Sequence, residues 1–401
     1  MLSRTLIDAA SRQITFVAND VGGAGGMEEQ TARLIEGMLE RGWEVSVISW
    51  TCRLAPHPRL RRVRVWGPRR PFSIAMPIFF FVAGILVALR RRGIVHANGA
   101  VIGNRVDLTT VHFCHRAFRK TGISRASRAH PAFRLNSWAA ASLSRLAESW
   151  CYRPSRTGKL VAVSRGLLAE LRSEFPAMRD RSEVVPNGVD VGHFSPGTPR
   201  GADVRRSLGI APDAPVGIFV GGDWERKGLR YAVDAVARTD PWHLLVVGDG
   251  DRRAYVDAAR SGGSAERLHF VGSRADVVPF FAASTAFVFP TAYETFSLVT
   301  YEAAAMGLPL LVTNVSGVNE ILEDGGTGWF ISRNPEEISR RLRELQGQPA
   351  KRIAMGQRAR EAARAYGWDR IIERYESLYE SATSPGEHFM ADSHAEATAD
   401  E

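Results

Sequence analysis

The sequence predicts an α/β protein built from two parallel-sheet domains. Short β-branched apolar runs alternate with longer helix-period segments, the rhythm of successive βα units. The alternation occurs twice, separated by a Pro/Gly-rich stretch without apolar periodicity at residues 194–203, where the interdomain linker is placed. A chain of 401 residues, at about 150 per domain, leaves room for two cores.

The first set of strands is expected at residues 13–18, 44–49, 93–97, 108–113 and 160–163, and the second at 216–220, 243–247, 268–271, 286–289 and 310–313. Beyond Tyr366, the residues Trp368, Ile371, Ile372, Tyr375, Leu378 and Tyr379 recur at helical spacing and predict a terminal amphipathic helix. The division expected is residues 1–195, 196–365, a helix at 366–384 and an acidic, disordered tail at 385–401. That tail carries Glu387, Asp392, Glu396, Asp400 and Glu401 and no basic residue other than histidine.

Composition narrows the classes. With 45% hydrophobic and 24% charged residues, global disorder and a multi-spanning membrane protein are excluded. Cys52, Cys114 and Cys151 lack C-x-x-C spacing, which speaks against a disulfide framework or zinc finger and for a reducing cytosol. No secretory leader is expected. Residues 1–200 carry 30 Lys and Arg against 14 Asp and Glu, whereas residues 201–401 carry 22 against 29. Such a basic first half is drawn to an anionic partner: nucleic acid, phospholipid or a phosphorylated acceptor. Residues 71–89 are nineteen positions without a charge, between Arg69-Arg70 and Arg90-Arg91-Arg92. The expectation is a buried crossover helix preceding the third strand; a helix lying on a membrane surface and a true span are the alternatives.

Four segments can carry chemistry. Val21-Gly-Gly-Ala-Gly-Gly-Met-Glu28 turns from the first strand into a helix and lets backbone N–H groups approach an anion. A dinucleotide site is disfavoured, since Glu28 stands where the third glycine belongs and no acidic residue closes the second strand. In Gly221-Gly-Asp-Trp-Glu-Arg-Lys-Gly228, Arg226 and Lys227 follow a strand and suit a diphosphate, although the segment is not a Walker loop. Asp249-Gly-Asp251 reads as a βα turn rather than a metal site. Glu294-Thr-Phe-Ser-Leu-Val-Thr-Tyr-Glu302 sets one carboxylate before a helix and one inside it. The backbone amides of Phe296, Ser297, Leu298 and Val299 lie between them at the helix N-terminus.

Glu294-x₇-Glu302, continued by Ala303-Ala-Ala-Met-Gly-Leu-Pro-Leu-Leu-Val312 and Ser316-Gly-Val-Asn-Glu-Ile-Leu322, resembles the donor-site signature of retaining glycosyltransferases of family 4, group 1 type. Gly25-Gly-Met-Glu28, Arg41-Gly-Trp-Glu-Val45, Val185-Pro-Asn-Gly-Val-Asp190, Lys227-Gly228 and Val246-Val-Gly-Asp-Gly250 agree in order along residues 14–382. The resemblance implies the GT-B fold: two Rossmann-like domains facing across a cleft, the first binding acceptor and the second the nucleotide sugar, with the terminal helix crossing back to the first. It implies that Glu294 contacts the donor sugar and Glu302 the ribose. Lys227, Ser297, Leu298 and Val299 would line the diphosphate, Gly25 and Gly26 would reach it across the cleft, and Val271 and Gly272 would face the base. Gly222 stands where an arginine is common, which makes the neighbouring Arg226 the candidate substitute. Thr110-Val-His-Phe-Cys-His115 offers two histidines near the transferred sugar; His112 matches in register, and His115 lies nearer the loop tip.

The implied reaction is retaining transfer by front-face attack, with a nucleoside-diphosphate sugar as substrate and no cofactor or metal. The basic half then fits a glycan or glycolipid acceptor, or an anionic membrane surface, met by His115, Arg116, Arg119, Lys120, Arg125 and Arg128. A cytoplasmic enzyme, peripheral on the inner face of the plasma membrane and engaged in cell-envelope polysaccharide synthesis, is the expectation. A basic nucleic-acid-binding or scaffolding protein on a non-catalytic α/β fold is the alternative; no RNA-binding or helix-turn-helix signature favours it, and no nucleic acid partner is expected.

Overall fold

A computed structural model describes residues 12–23, 25–123, 131–197 and 200–383. It contains two parallel sheets. The first joins β1 (Gln13–Val17), β3 (Glu44–Ser49), β5 (Leu60–Arg64), β6 (Ile94–Asn98), β7 (Val106–Val111), β8 (Thr157–Ala162) and β9 (Ser182–Val184) in the order β5-β3-β1-β6-β7-β8-β9. The short strands β2 (Asp20–Val21) and β4 (Thr51–Cys52) pair beside it. The second sheet orders β10 (Val216–Val220), β11 (His243–Val247), β12 (Leu268–Gly272), β13 (Ala286–Phe289), β14 (Leu310–Val312) and β15 (Gly328–Phe330) as β12-β11-β10-β13-β14-β15. Central strands such as β10 and β13 are buried along their whole length, because helices cover both faces.

Besides the short pair β2 and β4, three strands of the two large sheets were unforeseen: β5, β9 and β15. All three are sheet edges. β5 reads Leu-Arg-Arg-Val-Arg with its arginines outward, and β9 and β15 have three residues each, so none shows the apolar run of an interior strand. The strand expected at 108–113 is shifted to Val106–Val111, and that at 160–163 starts three residues earlier. The linker at 194–203 is cut short by the helix Arg200–Ser207, against whose Gly201 an added Cβ would strike Ala282. The expected acidic tail at 385–401 lies outside the described residues.

The helix Trp368–Thr383 joins the core of the first domain. Ile371, Tyr375 and Tyr379 pack with Leu34, Ile35, Met38 and Trp43. At its centre His96 is buried, with Nδ1 2.7 Å from Tyr379 Oη and Nε2 2.8 Å from Thr110 Oγ1; the Tyr375 hydroxyl closes the set at 2.9 Å from Thr110 Oγ1. The chain passes between the domains twice, and the passes touch: Val189 N–H donates to Tyr366 O at 2.9 Å.

The helix Phe72–Arg90 corrects the expectation of a buried crossover helix. It is the one helix among the described residues long and apolar enough to cross a bilayer. Only Ala75, Phe79, Ala83 and Val87 are buried, one i, i+4 stripe seated on the sheet against Trp50, Val95 and Val106. Its other faces are partly or fully exposed.

Candidate functional site

The carboxyl ends of the second sheet converge on the cleft, where open α/β sheets place ligands. After β13, Glu294 is fixed by two donors: Arg226 Nη1 at 3.1 Å and Thr291 Oγ1 at 3.1 Å from its Oε1. Arg226 also bonds Asp223 Oδ2 through Nε at 2.7 Å and the Tyr293 carbonyl through Nη1. Burial opposes its charge, but Glu294 and Asp223 more than offset this and hold the guanidinium above its ordinary value. The sequence reading gave Arg226 to the diphosphate. In the structure it is committed to Glu294, so it positions the carboxylate rather than pointing freely at a phosphate.

Lys227, one residue on, lies against the end of the sheet. Its Nζ lies 5.1 Å from the Phe289 ring centre and fills the space beside Gly221, where an added Cβ would stand 2.1 Å from it. Burial pushes the Lys227 amine down, while Glu294 and Glu302 pull it back up. Burial raises the Glu302 carboxyl to about 7, with Lys227 opposing. Glu302 sits in the helix Leu298–Ala305, whose N-cap Ser297 adopts the left-handed conformation (φ 70°) and bonds Thr300 Oγ1 at 2.7 Å. Leu298 and Val299 are half-buried at that N-terminus. Phe296 differs from its neighbours: its ring is in the core, stacked on Tyr301 at 4.1 Å, leaving only its backbone for a ligand.

The first domain meets this floor closely. The glycine-rich turn brings Gly26 against Leu298, where a Cβ would come within 2.8 Å of Leu298 Cδ1; Gly25 precedes it as the helix N-cap. Ser164 Oγ donates to the Thr295 carbonyl at 2.6 Å, and Arg165 N–H donates to Glu320 Oε1 at 2.7 Å. Val271 and Gly272 end β12, and Gly272 (φ 75°) accepts from Gly248 N–H at 2.9 Å. Asp249 and Asp251 cap turns, accepting from Ser273 N–H and Arg253 N–H.

His112 follows β7 and lines a small cavity with His96, Asn98, Asn187 and Gln30. Burial lowers its imidazole to about 4, so it is neutral at physiological pH. His115 opens the helix His115–Lys120, where Glu148 accepts from the backbone N–H groups of His115 at 2.6 Å and Arg116 at 3.1 Å. Burial raises Glu148 to about 7 against those bonds. The basic patch expected here divides. Arg116 and Lys120 both pair with the buried Glu174, whereas His115 and Arg119 line a cavity of about 1170 Å³ that reaches Asp223. Arg125 and Arg128 lie outside the described residues.

The sequence reading missed Tyr293. It is 8% exposed, donates to Glu170 Oε2 at 3.1 Å, and its ring lies 5.8 Å from Phe113 and 5.0 Å from Phe118. A second-domain aromatic thus closes on the first domain beside Glu294. The only sequence signal was its place immediately before that glutamate.

Comparison with known proteins bears on the family and the fold. Residues 24–193 match the description Glycosyltransferase Family 4, and residues 214–348 match Glycosyl transferases group 1. A D-inositol 3-phosphate glycosyltransferase of Actinosynnema mirum is 30% identical over 90% of this chain and 93% of its own. Among solved structures, WaaG, a glycosyltransferase involved in lipopolysaccharide biosynthesis, superposes with a TM-score of 0.74 at 19% identity, covering 91% of this chain and 99% of that one. Anabaena HepE in complex with UDP and glucose gives 0.69 at 18% identity, covering 92% and 100%. The two facing α/β domains are those of the GT-B fold.

Proposed function

The chain belongs to the glycosyltransferases of group 1 and family 4, and we propose that it moves a sugar, with retention and without a metal, from a nucleoside-diphosphate sugar to a hydroxyl of a membrane-associated glycan or glycolipid. The observation that carries this reading is the convergence of Lys227, Glu302 and the fixed carboxylate of Glu294 on the N-terminus of the helix Leu298–Ala305. A nucleoside diphosphate is a good leaving group. Lys227 and the backbone N–H groups of Ser297, Leu298 and Val299 would take up the charge that develops on it. Gly25 and Gly26, where Glu28 and Leu298 take the space of a side chain, would offer the diphosphate the backbone of the first helix's N-terminus; Glu302 receives the ribose hydroxyls, and Val271 and Gly272 face the base.

Glu294, held by Arg226 and Thr291, orients the donor sugar. The acceptor hydroxyl attacks the anomeric carbon on the face from which the diphosphate departs. The bond from that carbon to the leaving phosphate breaks as the new bond forms, and the hydroxyl proton passes to the departing phosphate oxygen. Neutral His112 is suited to a hydrogen bond with a sugar hydroxyl rather than to an ion pair. The acceptor occupies the cavity lined by His115 and Arg119, with Arg116 and Lys120 behind it on Glu174. HepE, solved with UDP and glucose, and WaaG, from lipopolysaccharide biosynthesis, support the donor and acceptor classes by similarity. A cytoplasmic, peripheral location on the inner face of the plasma membrane belongs to the same reading.

The test is thermal stability of the protein with UDP-, GDP- and ADP-sugars, NAD and a DNA duplex, beside Glu294→Ala. Ligand at a hundredfold excess over Kd adds about 2.7 kcal/mol to the native state. A melting shift with one nucleotide sugar, weakened in the variant, is expected. A shift with NAD or DNA and none with any nucleotide sugar would overturn the reading.

A further inference from the structure

We propose that the outward faces of the helices Phe72–Arg90 and Pro131–Cys151 form one surface that inserts into the headgroup layer of an anionic bilayer. Phe81, Ile85 and Leu89 are 70%, 59% and 75% exposed and lie on one side of the first helix; Trp138, Leu146 and Trp150 are 68%, 68% and 43% exposed on the second. The helices are bound to each other, with Ser73 Oγ donating to Asn136 Oδ1 at 2.7 Å, and a groove of about 760 Å³ between them is lined by Phe81, Ile85, Leu146 and Trp150. Soluble proteins rarely leave so continuous an apolar surface in water.

Charge selects the occupant. Between residues 45 and 147 the sequence has 18 Lys and Arg and a single acid, Asp107. Arg69 and Arg70 precede the first helix, and Arg90, Arg91 and Arg92 end it, all exposed. Apolar residues with tryptophans, flanked by arginines, are the composition of a segment lying in an anionic interface. Spanning is excluded by the stripe Ala75, Phe79, Ala83 and Val87, which is committed to the sheet. The cavity lined by Phe72, Trp138, His115 and Arg119 opens at the start of the same two helices and reaches Asp223 in the second domain. A lipid-anchored acceptor therefore enters from the bilayer side without leaving the surface; this orientation rests on the acceptor class proposed above.

The experiment is co-sedimentation with vesicles of equimolar phosphatidylcholine and phosphatidylglycerol, and with phosphatidylcholine alone. Nucleotide-sugar binding and light scattering are followed in parallel. Binding to the anionic vesicles is expected, weakened at least tenfold in F81E/L146E with nucleotide-sugar binding unchanged. R90A/R91A should lose roughly fivefold per arginine on anionic vesicles only. Absence of vesicle binding, equal binding by F81E/L146E, or a dimer that this variant dissociates would each overturn the proposal. Vesicle binding without any nucleotide-sugar response would sink the donor reading and leave this surface standing, whereas a nucleotide-sugar response without vesicle binding would do the reverse.

Discussion

Replacing Gly166 by alanine tests whether contact between the domains sets the loop that carries Glu294. Gly166 lies in the first turn of the helix Arg165–Glu174, between Arg165, which binds Glu320, and the helix body. A Cβ there would stand 2.3 Å from Ser316 Oγ and 2.7 Å from Ser316 Cβ, where ordinary contact begins at 3.4 Å. The two domains must then part by about 1 Å, which strains the Ser164–Thr295 bond next to Glu294. Overpacking of this kind costs about 1–3 kcal/mol. If the closed cleft is the reactive one, kcat/KM falls roughly 5- to 150-fold. Alanine is a better helix former than glycine by about 1 kcal/mol, so the variant folds. Ser316→Gly removes both offending atoms and leaves Cα at 3.1 Å, and the double variant should recover most of the lost rate. Steady-state transfer rates with small-angle scattering for domain separation measure both effects. Wild-type kcat/KM in Gly166→Ala, or no recovery in the double variant, refutes the reasoning.

Two further outcomes follow from buried polar groups. The Glu302 carboxyl is raised to about 7 in the fold, so the folded state holds its proton more tightly than the unfolded chain, and this contribution to stability is lost as pH rises from about 4.5 through 7. Glu302→Gln should therefore gain melting temperature relative to wild type at pH 8 more than at pH 5. Wild-type donor KM should also improve as pH passes 7, while the variant stays flat; parallel profiles would remove Glu302 from the ribose site. Tyr379→Phe strips the partner from His96 Nδ1 in a fully buried network, at a cost of about 1–3 kcal/mol. The first domain should lose roughly 2–4 °C per kcal/mol in a thermal scan, and an unchanged scan would show that the terminal helix does not hold it.

Interior strands were legible because a strand covered on both faces is a continuous apolar run, as in Val-Gly-Ile-Phe-Val of β10. Of the four edges of the large sheets only β12 was foreseen; β5 presents three arginines, and β9 and β15 are three residues long. The nineteen uncharged residues before Arg90 illustrate a different limit. Apolar composition cannot distinguish a helix buried all round from one buried along a single stripe, and the Ala75-Phe79-Ala83-Val87 stripe emerges only once the sheet is placed beneath it. Of the candidate site, Glu294, Glu302 and Lys227 were legible through their resemblance to the donor-site signature of the family, not through spacing alone. The partners of Arg116 and Lys120 were not, because Glu174 is more than fifty residues away and meets them only through the fold.

Arg226 and Lys227 are adjacent and both interact with Glu294, but they are held differently. Arg226 spans Asp223, Glu294 and the Tyr293 carbonyl through hydrogen bonds, whereas Lys227 lies beside Gly221. With Gly222 contributing no side chain and Arg226 bound to Glu294, this segment would offer a diphosphate one cation. A diphosphate carries more charge than one lysine neutralises, so in the proposed reading the remainder would fall to backbone N–H groups at the N-terminus of Leu298–Ala305 and at the glycine turn of the first domain. Those two groups lie on opposite sides of the cleft and come together only where Gly26 meets Leu298. If the donor binds as proposed, charge stabilisation of the leaving group is tied to domain closure, because an open cleft would lack the backbone N–H groups of the first domain.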